Sequence, residues 1–149
     1  MILAIDPALK CGVAYEVDYR PISILWDLDV QKKTKTRPGE PIEKRLLNLE
    51  QNLYRLMCDV GRPGLIAVEG AQGFSKGKAA VEWSHKFRGT VQLFAAREGI
   101  PFCEIPPADL KRHATGIGNA TKEDMIEAAG RKFGYTGSDD NEADALWIL

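Results

Sequence analysis

The chain has 149 residues, the size of one domain. Its formal net charge of -1 excludes a uniformly basic nucleic-acid binder; positive charge for an anionic partner has to be concentrated locally. A composition of 44% hydrophobic and 28% charged residues is that of an ordinary globular protein.

Residues 2–5 form a short apolar strand that ends at Asp6. Turn residues 7–12 lead to a strand over 13–17, and a turn at Tyr19, Arg20 and Pro21 leads to a third over 22–30. The polar, basic stretch 31–41, with Pro38, Gly39 and Pro41, reads as an exposed loop. Ile42, Leu46, Leu49, Leu53, Leu56 and Val60 then step by four and three along one helical stripe, which suits either a core or a subunit interface. Residues 65–68 are a buried-type strand ending at Glu69. Ala80, Trp83, Phe87, Val91 and Phe94 mark a long helix over 78–98, with the aromatics assigned to core or dimer contacts, and Gly99 and Pro101 end it. Residues 102–105 are a fifth strand, and 108–114 a short helix opened by Pro106 and Pro107. Thr121 caps the next helix, with Asp124 closing a variant capping box and Met125, Ile126, Ala129 and Phe133 inward. A last helix begins near Asp140. Three strands, a helix, a strand, a helix, a strand and further helices describe an α/β domain: a mixed five-stranded sheet flanked by helices, one domain over 1–149. No apolar run nears the roughly 20 residues of a membrane span. The start lacks the pattern of a signal peptide. Cys11, Cys58 and Cys103 form no CxxC pair, as expected of reduced thiols in the cytoplasm.

The strongest local feature is a repeated one. Ile2-Leu3-Ala4-Ile5 runs into Asp6, and Leu65-Ile66-Ala67-Val68 runs into Glu69. Ligands of open α/β sheets collect at the carboxyl ends of strands, so parallel neighbours would bring these acids together. Two close carboxylates repel and resist desolvation, and a hard cation such as Mg²⁺ resolves both problems. In 138–146, Asn141 and Asp144 share a helix face, as do Asp140 and Asp144. The macrodipole accounts for acids in that first turn, but Asp144 sits beside Ala145 and Leu146 on the inward side and needs a partner.

With these residues in view, a resemblance emerges. AIDPALKCGVAY resembles the opening I-D-P-G-x-x-x-x-G of RuvC-like Holliday-junction resolvases. LIAVEGAQ looks like their second acidic strand, IPPADLKRHATGIGNATK like their lysine followed by G-x-G-x-A-x-K, and NEADALWIL like their final D-A-D-A-L helix. The four segments keep the family order across nearly the whole chain. The resemblance, which includes phage-type members, implies an RNase H-like fold and a homodimer. It also implies an endonuclease that cuts branched, four-way DNA with Mg²⁺ or Mn²⁺ by two-metal phosphodiester hydrolysis. By position it implies Asp6, Glu69, Asn141 and Asp144 as metal ligands and catalytic residues. Lys111 and Lys122 match functional lysines, with Lys122 stabilising charge at the scissile phosphate. Two departures stand out: Ala8 replaces the family glycine, and Asn141 replaces an aspartate or histidine, so that Asp140 is a substitute candidate.

Basic residues are clustered as the net charge demands. Lys32, Lys33, Lys35 and Arg37 lie in one loop, Lys76, Lys78, Lys86 and Arg88 flank the second acidic strand, and Lys111, Arg112 and His113 precede the glycine turn. Lys76, Lys78, Lys111, Arg112 and Lys122 are the expected phosphate contacts, and Phe74 a candidate to stack on an opened junction. His85 and His113 show no ligand spacing and default to surface histidines. Two rivals remain at this level: an RNA-processing nuclease of the same fold, and a junction-binding module whose metal site has decayed at Asn141.

Overall fold

The computed structural model describes residues 1–29, 39–70 and 78–149, with side chains of the last segment described from Val81 onward. The expected basic loop (Lys32, Lys33, Lys35, Arg37), Phe74 and Lys76 lie outside the described residues, and Lys78 is described only as backbone. Strands β1 (Ile2–Asp6), β2 (Lys10–Val17) and β3 (Arg20–Asp27) are followed by α1 (Ile42–Val60), β4 (Leu65–Glu69), α2 (Lys78–Arg97) and β5 (Phe102–Ile105). Helices α3 (Pro107–Thr115), α4 (Lys122–Phe133) and α5 (Asp140–Ile148) complete the order.

The five strands form one sheet in the order β3-β2-β1-β4-β5. The first three strands are an antiparallel meander, while β4 and β5 join parallel to β1. This is the expected mixed α/β architecture. Two strand boundaries differ from the sequence reading. β2 begins at Lys10, because Lys10, Cys11 and Gly12 already pair with Asp27, Trp26 and Leu25. The hairpin turn is Asp18-Tyr19, both at positive φ (50° and 62°), as a two-residue turn requires when its twist must match the strands. Arg20 and Pro21 therefore belong to β3, where a proline is tolerated because β3 is an edge strand.

The two faces of the sheet differ in side-chain size, and that difference positions everything else. Leu3, Ile5, Val13, Tyr15, Ile66 and Val68 pack against Leu49, Leu53 and Leu56 of α1 and Phe87, Val91 and Phe94 of α2. The 42–60 stripe is thus core, and so are Phe87 and Phe94; truncating any of these to alanine costs about 2–5 kcal/mol. The opposite face carries Ala4, Ala14 and Ala67, buried with Leu110, Met125, Ala129, Ala143, Ala145 and Leu146 of the three C-terminal helices. Residues alternate along a strand, so Asp6 follows Ala4, and Glu69 follows Ala67, onto this small-residue face. Both acids end up beneath α5. Ala143 and Ala145 are fully buried, which lets that helix lie close.

Candidate metal centre and active site

Asp6 and Glu69 leave neighbouring parallel strands at the same level, since Ile5 pairs with Val68. α5 crosses above them and adds Asp144. Each acid offers an oxygen such that the three atoms lie within 4.8 Å of one another. All three side chains are buried, between 6% and 8% exposed. Burial, the nearby Glu69 and Asp140 push the Asp144 carboxyl up to about 7, and Lys111 and Lys122 only partly offset them. Its Oδ1 is buried and accepts no hydrogen bond among the described residues. A buried acid cluster with an unsatisfied oxygen is the donor set an oxygen-loving divalent cation fits. Aspartates and a glutamate favour Mg²⁺-like ions over soft metals.

The raised Asp144 titration carries a testable cost. Below pH 4 both folded and unfolded chains hold this proton. Between about 4 and about 7 the unfolded chain releases it and the folded chain does not, so metal-free stability falls across that window and stays low above it. The loss is at most on the order of 4 kcal/mol. Urea unfolding in EDTA should show this decline for the wild type and a flatter profile for Asp144→Asn, which should be the more stable of the two at pH 8. Identical profiles would remove the linkage.

Three segments build the rest of the site. Asp139 caps α5, its Oδ1 accepting from the Asn141 amide at 3.0 Å and from Asn141 Nδ2 at 3.1 Å. That orientation engages the amide nitrogen of Asn141 and leaves its oxygen as the atom suited to a cation. The sequence reading missed Tyr135, whose hydroxyl lies 3.1 Å from the Asp139 carbonyl and 3.2 Å from the Asp139 amide and Glu142 Oε2. It ties the α4–α5 connection to the start of α5; an aromatic just past the helix-ending Gly134 was the available signal. On α4, Thr121 and Asp124 form the expected capping box, so the glycine turn before it is structural. The box orients Lys122 at the first helical position, where it pairs with Asp140. That hydrogen bond, with the charges of Asp140 and Asp144, holds the Lys122 ammonium above its usual range. Asp140 is therefore engaged by Lys122, and among the described residues the acid cluster is Asp6, Glu69 and Asp144 without it.

A cavity of about 470 Å³ opens over these acids. Lys111, Lys122, Asp140 and Asn141 line it from the side of the C-terminal helices, and Trp83, Ser84, His85 and Phe87 from α2. Trp83 is a half-buried wall residue, with the Arg45 guanidinium 4.4 Å from its ring centre. Two of the clustered basic residues do not line this cavity. Arg112 is not among the cavity residues: it pairs with Asp109 at 2.8 Å on the exposed side of α3 and reaches toward the glycine turn at Gly118. Arg88 is buried, 3.4 Å from Glu104, and so is not part of a surface patch. Ala8, in place of the family glycine, lines the cavity without positive φ; its amide donates to the Asp6 carbonyl at 3.0 Å. That turn needs no glycine.

Comparison with known proteins agrees with this geometry. The family model described as "Crossover junction endodeoxyribonuclease RuvC" matches residues 2–146. A protein of that description from Salinispora arenicola is 33% identical across 83% of this chain and 69% of its own length. Another, from Gloeobacter violaceus, is 32% identical across 99% of this chain and 84% of its own. The solved structure of T. thermophilus RuvC in complex with Holliday junction substrate superposes with a TM-score of 0.71 at 22% identity, covering 99% of this chain and 88% of that one. No helix among the described residues is long and apolar enough to cross a membrane. With its RNase H-like sheet and its match across nearly the whole sequence, the chain belongs to the RuvC family of crossover junction endodeoxyribonucleases.

Proposed function

We propose that this endodeoxyribonuclease, acting as one nuclease domain over residues 1–149, cuts four-way DNA junctions at the cavity above Asp6, Glu69 and Asp144. The observation that carries the reading is the convergence of these three buried carboxylates, from β1, β4 and α5, within 4.8 Å. Asp6, Glu69 and Asp144 would hold Mg²⁺ or Mn²⁺, with the Asn141 amide oxygen completing the set. A bound divalent ion supplies Lewis-acid polarisation of the phosphoryl group and a more acidic water. Lys122 and Lys111 meet the anionic strand from the cavity wall. Asp140 holds Lys122 close enough to the acids for its charge to act on the scissile phosphate, a preorganised electrostatic role. Water attack at phosphorus with departure of the 3′-oxygen leaves a 5′-phosphate and a 3′-hydroxyl. Two opposed cuts across a four-way junction call for two such sites, which makes a C2 homodimer the fitting assembly. The reading suits a protein of the cytoplasm.

The test is cleavage of a labelled four-way junction against a matched linear duplex and a structured RNA, with Mg²⁺, Mn²⁺ or EDTA. Metal-dependent paired nicks on the junction alone are expected. Cutting of the RNA instead would move the substrate class, and tight junction binding without cutting would indicate a binding module.

A further inference from the structure

We propose that His85 is a substrate-contacting residue of this cavity, offering a fixed N–H donor to a DNA phosphate oxygen. The proposal rests on the junction-cutting reading above and deepens it.

The argument begins with Arg88. It is only 7% exposed, its Nε lies 3.4 Å from Glu104 Oε2, and its Nη2 lies 2.6 Å from His85 Nδ1, one turn back on α2. A guanidinium carries donors and no acceptor. At that contact His85 Nδ1 must therefore accept, and the ring hydrogen must sit on Nε2. Glu104 on β5 holds a buried cation, and the cation sets the histidine tautomer. The ring is exposed apart from this tether, and it lines the same cavity as Asp6, Glu69, Lys111, Lys122 and Asp144.

The placement has a chemical use. Lys111 and Lys122 come from α3 and α4, while His85 and Ser84 come from α2. A strand lying in the cavity thus meets cationic donors on one wall and a neutral, oriented N–H on the other. A pre-set donor holds the strand without adding positive charge beside ligands that must keep a cation. It also loses little freedom on binding, because the Arg88 contact has already fixed the ring.

The experiment compares wild type, His85→Ala and His85→Gln in single-turnover cleavage of a synthetic four-way junction with Mg²⁺, alongside thermal unfolding. Imidazole nitrogen NMR follows the same junction added in EDTA. The free protein should show His85 with hydrogen on Nε2, and junction DNA should move the Nε2 resonance. His85→Ala should lower the cleavage rate about tenfold or more at an unchanged unfolding midpoint, the worth of one hydrogen bond to a charged group. His85→Gln, whose amide can still donate, should recover most of it. Wild-type cutting with an unimpaired His85→Ala overturns the inference alone. So does an activity loss that tracks a fallen midpoint and is not recovered by glutamine, which would make the ring merely a partner for Arg88. A wild type that cuts no junction overturns the functional reading, and this inference with it.

Discussion

Asp6→Asn is expected to lower junction cleavage on the order of 10³-fold or more while leaving junction binding in EDTA intact. The carboxylate stands at the end of the central strand of the sheet, the strand shared by the antiparallel meander and the parallel pair, and it clusters with Glu69 and Asp144. Asparagine keeps its size and one oxygen but removes the charge that, on the proposed reading, would hold a hard cation, and with it several kcal/mol of transition-state stabilisation. On the same reading, binding would draw instead on phosphate contacts at basic groups such as Lys111 and Lys122, which the substitution leaves in place. Gel-shift and cleavage assays on one junction separate the two. Loss of both together would mean that Asp6 holds the fold and not the chemistry.

Gly12→Ala should produce the second large effect, through backbone geometry alone. Gly12 faces Asp6 across the β1–β2 ladder. A Cβ there would lie 1.9 Å from the Asn141 carbonyl oxygen and 2.8 Å from the Glu142 nitrogen, atoms of the first turn of α5. Backbone cannot rotate out of the way as a side chain would, so the helix must lift. Overpacking of this kind costs about 1–3 kcal/mol. A displacement of about 1 Å of a catalytic group costs on the order of 10²-fold in rate. We expect Gly12→Ala to lose at least that much activity and to bind Mn²⁺ more weakly by calorimetry, with the urea midpoint lowered. Ala8→Gly, a few residues away in the same motif, should leave cleavage nearly unchanged, because Ala8 does not use positive φ. Equal behaviour of the two variants would contradict the close-approach account.

The contrast between these two positions shows how far the residues could be read without coordinates. The family pattern flags position 8 as a glycine site and Gly12 stands one residue from its second glycine, yet only the fold reveals that a side chain at Gly12 would meet a helix and that the turn at Ala8 needs no glycine. The paired strands ending in Asp6 and Glu69, and the inward Asp144, were legible because strand alternation and helix spacing are local periodicities. The α1 stripe was legible as a stripe, but whether it met core or a second subunit depended on which face of the sheet lay opposite. Arg88 looked like a surface cation because a sequence does not show Glu104 beside it. The tie from Tyr135 to Asp139, and the engagement of Asp140 by Lys122, depend on how the connection into α5 turns, which no periodicity encodes. The second strand began early because Lys10, Cys11 and Gly12 read as turn residues until β3 was there to pair with them.

The order of the acids along the chain has a further consequence, for synthesis. Asp6 emerges from the ribosome first and Glu69 near the middle, but Asp144 lies on a helix that follows every strand of the sheet. All five strands and two of the three clustered acids are thus synthesised before the third. On the proposed reading, a chain stalled before α5 would lack the third carboxylate of the cluster and so would not carry the complete cation site.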